Sequence, residues 1–168
     1  AIDGASGKIL WQKAALEEFP GGGRGPAYGD GVVYAAGRST IAAFAAETGK
    51  PIEGFGTKGL LNPARAALDF KDPGKVPAEV NPESLGFSMV AAPSYANGTL
   101  FIPLASSEGL VPGGFLVAVD GKTGKVKWVF RSIPQGPGDD GWDVAKDTWS
   151  GKERTGGGIW SPPAIDVA

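Results

Sequence analysis

The feature that most limits what this chain can fold into is a repeated unit ending in tryptophan. Ala1-Ile2-Asp3-Gly4-Ala5-Ser6-Gly7-Lys8-Ile9-Leu10-Trp11 returns as Ala118-Val119-Asp120-Gly121-Lys122-Thr123-Gly124-Lys125-Val126-Lys127-Trp128. A weaker copy, Ala43-Phe44-Ala45-Ala46-Glu47-Thr48-Gly49-Lys50, has Ala45 at the aspartate position and Glu53 where the tryptophan falls. A second unit interleaves with the first: Pro26-Ala27-Tyr28-Gly29-Asp30-Gly31, Pro93-Ser94-Tyr95-Ala96-Asn97-Gly98 and Pro163-Ala164-Ile165-Asp166-Val167-Ala168. Self-similarity of this kind means that each copy buries its apolar face only against its neighbours.

The local chemistry of each unit is β-structure. Asp30-Gly31 and Asn97-Gly98 lie between apolar stretches, and type I′ hairpin turns need positive φ at both central residues. Val32-Val33-Tyr34 and Thr99-Leu100-Phe101-Ile102 read as return strands, Thr40–Phe44 and Phe115–Val119 as third strands, and Val126–Phe130 as a fourth. In the Thr-Gly-Lys turns between them, threonine bonds the backbone locally and glycine supplies a left-handed residue. With 28 glycines and 14 prolines in 168 residues, yet 42% hydrophobic and 20% charged, the chain is turn-rich and still able to build a core. An all-β propeller of four-stranded antiparallel blades is predicted.

The spacing exceeds that of compact blades, roughly 40–50 residues, so long loops are expected. Residues 1–20 read as the last strand of one blade, 21–60 and 86–131 as two blades, and 159–168 as the first strand of another. Residues 61–85 and 132–158 are the long loops, with at most a short turn of helix at Asn62 to Phe70. A propeller closes by returning its last blade to its first, after about four to eight blades. The chain is therefore expected to be part of a closed ring whose remaining blades lie outside it.

The absent residue types exclude much chemistry. With no cysteine and no histidine, thiolate nucleophiles, Ser-His-Asp catalysis and the usual zinc or iron–sulfur ligands are excluded. Carboxylates, Arg, Lys, hydroxyls, a hard cation such as Ca²⁺ or a borrowed cofactor remain. A net charge of −2 leaves no electrostatic footprint for nucleic acid. Asp139-Asp140-Gly141-Trp142-Asp143 lacks the spacing of an EF-hand loop and reads as a solvated insertion. The triple glycines lack the Lys-Ser/Thr of a phosphate loop. No apolar run has the length of a membrane helix.

The Ala-x-Asp-x-x-Thr/Ser-Gly-Lys-x-x-Trp unit resembles the tryptophan-docking motif of quinoprotein dehydrogenases, whose cofactor is pyrroloquinoline quinone (PQQ). There the tryptophan of one blade packs on the small residue and turn of the next, and the resemblance implies a ring of eight blades. Arg24-Gly25-Pro26-Ala27-Tyr28-Gly29-Asp30-Gly31 is similar to the Arg-Gly-x-Ala-Tyr-Gly-Asp-Gly segment of PQQ-dependent alcohol dehydrogenases. Thr48-Gly49-Lys50-Pro51 with Gly54-Phe55-Gly56 and Gly59 resembles a stretch of quinoprotein glucose dehydrogenases. Gly156-Gly157-Gly158-Ile159-Trp160 resembles the segment that presents a tryptophan flat under PQQ.

The resemblance implies roles residue by residue. Arg24 would pair with a cofactor carboxylate, which suits a guanidinium; the plainer reading is a surface arginine. Trp160 would stack on the quinone; the alternative is a core tryptophan between blades. Ser106-Ser107-Glu108-Gly109 stands where the family has a Ser-Gly-Ala-Glu-type loop, so Ser106 or Ser107 would contact the cofactor and Glu108 would bind Ca²⁺. As a lone acid in a glycine-rich loop, Glu108 reads equally as solvated. Departures are Val90 in place of a threonine, the missing threonine near Gly158, and no vicinal cysteine pair near Glu18-Phe19.

The function implied is oxidation of alcohols or sugars in the periplasm, with PQQ and Ca²⁺ as cofactors and cytochrome c or ubiquinone as electron acceptor. The family's catalytic aspartate and an asparagine calcium ligand are expected beyond the equivalent of Ala168. The competing reading is a non-catalytic PQQ-like propeller serving as a scaffold or binding platform.

Overall fold

The computed structural model describes residues 1–13, 25–106, 112–150 and 154–167. One sheet runs β1 (Ala27–Gly29), β2 (Val32–Ala36), β3 (Ile41–Ala45) and β4 (Leu60–Leu61), each antiparallel to the next. The second holds β5 (Phe87–Ser88), β6 (Ser94–Ala96), β7 (Thr99–Ser106), β8 (Phe115–Asp120) and β9 (Val126–Arg131). In it β6, β7, β8 and β9 form the antiparallel blade, and β5 pairs with Ala105 and Ser106 at the far end of β7.

The hairpins form for the expected reason. Asp30 and Gly31 have φ of 48° and 76°, and Asn97 and Gly98 of 47° and 71°, the paired positive values of a type I′ turn. The Thr/Ser-Gly-Lys turns are built alike at all three places. The Gly7, Gly49 and Gly124 amides each donate to the carbonyl of residue 3, 45 or 120 at 2.8 Å, and that residue's amide donates to Lys8, Lys50 or Lys125 at 2.8 Å. Asp3 and Asp120 add side-chain acceptors to this frame. Ala45 does without, and the turn keeps the same backbone pattern, with Thr48 Oγ1 accepting from the Lys50 amide at 3.3 Å.

The loop at 61–85 departs from expectation, because Pro63–Lys71 forms a nine-residue helix, α1. Asn62 caps it by accepting from the Arg65 amide, and Pro63 occupies the first turn, where a missing N–H costs nothing. The helix has a tertiary reason to exist. β4 is only two residues long, and α1 packs on β7, β8 and β9, burying Ala64, Ala67 and Leu68 in the common core. Leu100, Ile102 and Leu104 on β7 and Phe115, Val117 and Val119 on β8 form the face it covers.

Blade contacts follow the docking motif where the tryptophan is present. The Trp11 indole N–H donates to the Ala46 carbonyl at 2.6 Å, and its ring lies on Gly49, where a Cβ would stand 2.6 Å from Cδ2. At the second blade the equivalent tryptophan is Glu53, and other residues do its work. Tyr34 Oη donates to the Gly121 carbonyl at 2.8 Å, the Gly56 amide donates to Thr123 at 3.0 Å, and the buried Phe55 ring lies beside Gly124. Residues 159–167 join no strand ladder among the described residues, but Ser94 Oγ donates to the Pro163 carbonyl at 3.0 Å.

Candidate functional site

Strand direction places Gly25 and Ser106 at one rim. Chain entering β1 and β6 and chain leaving β7 lie at the same end of the sheets, because β6 pairs antiparallel with the start of β7 and β1 packs beside β6. Gly25, at φ 137°, runs beside Ala92: a Cβ added there would stand 3.9 Å from the Ala92 Cβ. Ser106 is the last residue of β7 and pairs with Phe87. Arg24, Ser107 and Glu108 lie outside the described residues.

Trp160 is brought to this rim by backbone pins. The Ile159 amide donates to the Leu104 carbonyl at 3.3 Å, two residues before Ser106. Ser132 Oγ donates to the Gly157 carbonyl at 2.5 Å and accepts from the Gly114 amide at 2.8 Å. Gly156 and Gly157 have φ of 94° and 66°, so the path suits glycine. Gly114 makes room for it, since a Cβ there would lie 3.0 Å from both the Gly157 oxygen and the Gly158 Cα. The Trp160 side chain is 49% exposed, which leaves an indole surface open for stacking. Ser132 and Gly114 carry no sequence signal beyond the Gly113-Gly114 pair.

Next to these pins lies a buried ion network that sequence reading missed. Arg131, 5% exposed at the end of β9, pairs with Asp139 at 3.2 Å and closely with Asp72, and its guanidinium lies 5.1 Å from the Phe115 ring centroid. Lys71 reaches Asp139 at 3.1 Å and Lys75 reaches Asp72 at 2.8 Å. Burial alone would raise the pKa of both acids, but hydrogen bonds outweigh it and hold both below the ordinary value. They come from Lys75 and Arg131 for Asp72, and from the Gln135 amide and Lys71 for Asp139. Asp139 is thus no solvated loop residue, as the sequence suggested; its side chain is 6% exposed. A cleft of about 240 Å³ opens between these groups. No cluster of His, Cys, Asp and Glu able to hold a metal ion occurs among the described residues, nor is any helix there long and apolar enough to cross a membrane.

Comparison with known proteins agrees with this architecture. The sequence profile of the PQQ glucose/ethanol/alcohol dehydrogenase β-propeller domain matches residues 1–168. The dehydrogenase subunit of the quinone alcohol dehydrogenase of Gluconacetobacter polyoxogenes is 30% identical over 198 aligned positions, covering 99% of this chain and 23% of that protein. A polyvinylalcohol dehydrogenase of a Pseudomonas species is 33% identical over 92 residues, 48% of this chain and 14% of its own length. Among solved structures, a quinohemoprotein alcohol dehydrogenase of Pseudomonas putida HK5 superposes with a TM-score of 0.67 at 22% identity, over 99% of this chain and 23% of that one. That of Comamonas testosteroni gives 0.61 at 24% identity, over 88% and 21%. The chain thus spans less than a quarter of the length of these relatives.

Proposed function

Because this chain belongs to the family of PQQ glucose/ethanol/alcohol dehydrogenase β-propeller domains, we propose that it is a segment of a PQQ- and calcium-dependent dehydrogenase acting on alcohols or sugars. When bound, PQQ with its calcium ion supplies the two-electron acceptor. The chain's own residues supply orientation. Trp160 offers a flat apolar surface, Ser106 or Ser107 a hydroxyl, Arg24 a bidentate partner for a carboxylate, and Glu108 an anionic oxygen for the cation. The residues described support this reading: the Ile159–Leu104 hydrogen bond ties the segment that carries the half-exposed Trp160 to β7, two residues before the strand ends at Ser106. That juxtaposition is the observation that carries the reading. Electron delivery to cytochrome c or ubiquinone and a periplasmic location belong to the same proposal.

The test is calcium-dependent reconstitution of the full-length protein with PQQ, followed by a screen of alcohols and sugars. PQQ binding that needs calcium, with oxidation of at least one substrate, is the expected result. Trp160→Ala should weaken PQQ binding about two- to tenfold, as expected for a stacking partner worth ~0.5–1.5 kcal/mol. Glu108→Gln should raise the calcium concentration needed for activity, because it removes charge from a hard-cation ligand. A full-length protein that takes up no PQQ would point to the non-catalytic scaffold instead.

A further inference from the structure

We infer that Ser132 is a positioning residue for the Trp160 indole, acting by holding the glycine-rich approach to Trp160 against the ends of β7 and β8. The inference rests on the functional reading above and adds a part to it. A run such as Gly156-Gly157-Gly158 has more backbone freedom than any other composition and would by itself leave the next tryptophan unoriented. The structure restrains it at its centre. Ser132 Oγ donates to the Gly157 carbonyl at 2.5 Å while accepting from the Gly114 amide at 2.8 Å, so the hydroxyl is fixed on both sides. Ser132 is itself anchored, because its amide donates to the Gly114 carbonyl at 2.9 Å and continues the β8–β9 ladder by one pair beyond Phe115 and Arg131. Arg131, immediately before it, is locked between Asp72 and Asp139.

The remaining restraint between Gly157 and Trp160 is made by backbone, through the Ile159 amide and the Leu104 carbonyl. Ser132 is therefore a side chain whose hydrogen bond can be removed without altering the segment's own sequence. The Gly157 Cα also sits tightly against Ile133, since a Cβ there would stand 2.9 Å from Ile133 Cγ1 and 3.0 Å from Ser132 Oγ. The carbonyl is thus presented to the hydroxyl in one orientation. A segment pinned to the end of a rigid strand holds an aromatic ring more closely than an unpinned loop does.

The experiment uses the full-length protein and its Ser132→Ala, Ser132→Thr and Trp160→Ala variants. Two quantities are read: amide hydrogen exchange at residues 157–159 without cofactor, and PQQ affinity at saturating calcium. Ser132→Ala should speed exchange at 157–159 while leaving α1 and β8 protected. It should weaken PQQ binding about three- to tenfold, the range of one lost hydrogen bond. Ser132→Thr, which keeps the hydroxyl, should stay near the parent in both. If Trp160→Ala weakens PQQ binding and Ser132→Ala changes neither quantity, the positioning role is overturned while the functional reading stands. If Ser132→Ala speeds exchange but the parent binds no PQQ, the functional reading is what fails.

Discussion

Where the blades meet, glycine is used for the space it leaves. A Cβ at Gly29 would stand 1.9 Å from Tyr95 Cδ1, and one at Gly121 would lie 2.7 Å from Tyr95 Cε2 and 2.8 Å from the Tyr34 hydroxyl. Tyr34 and Tyr95 stack with centroids 5.5 Å apart and planes 18° from parallel. Tyr95 Oη donates to Asp30 at 2.7 Å. Burial, with the nearby acids, pushes the Tyr95 pKa up to about 12 and that of Tyr34 higher still. A raised tyrosine pKa contributes stability that is complete below the ordinary value of about 10 and is lost as pH rises through the folded one. Gly29→Ala should therefore cost about 1–3 kcal/mol in thermal or urea melts, the range for overpacking a tight contact. Gly4→Ala, which meets nothing within 4 Å, should be near neutral. Tyr34→Phe should cost about 1 kcal/mol for its hydrogen bond and flatten the alkaline fall in stability.

At the scale of elements, α1, β9 and the loop after β9 are joined by charge as well as by packing. Arg131 takes Asp72 from just beyond α1 and Asp139 from the loop, and Lys71 on α1 reaches the same Asp139. Both carboxyls are held below their ordinary pKa, so their contribution is complete above about pH 4 and is lost as pH falls from there through the lowered values. The full-length protein should keep its melting temperature from neutral pH to about pH 4 and lose it steeply below. Asp139→Asn leaves Lys71 facing a neutral group and Arg131 with Asp72 alone, and should cost about 1.5–3 kcal/mol, the range for a hydrogen bond to a charged group. The variant should also show a shallower acid limb, measurable by melts across pH. An unchanged acid limb would mean that other carboxylates set it.

At the scale of the whole molecule, the outer face of β9 exposes Trp128 at 42% and Phe130 at 37%, while Val129 and Arg131 point inward. At the other end, Trp11 shows how such a tryptophan is used, lying on Gly49 and bonded to Ala46. Apolar blade faces of this kind invite association. The 168-residue chain expressed by itself should self-associate and show no quinone-dependent oxidation. Trp128→Arg with Phe130→Ser should shift its sedimentation toward monomer. A monodisperse, cooperatively melting parent would contradict this reading of the blade faces.

The sequence by itself determined what neighbouring residues settle between themselves. Asx-Gly pairs set the hairpins because only short-range sterics decide a positive φ. The Asp-Gly-x-Thr-Gly-Lys turns closed as read because donor and acceptor lie within a few residues. The repeat of these units was enough to specify blades. The tertiary structure decided the rest. Nothing near Glu53 shows that Tyr34 and Phe55 take over the missing tryptophan, because their contact with Gly121 and Gly124 arises only when two sheets stack. α1 is legible in its Asn62-Pro63 start, but its full length follows from the apolar face that a two-residue β4 leaves open. Asp139 read as solvated until a strand end 8 positions away placed Arg131 against it. Ser132 and Gly157 are 25 residues apart. No periodicity links such partners; they are selected by where separate segments come to rest, which burial of the shared core sets.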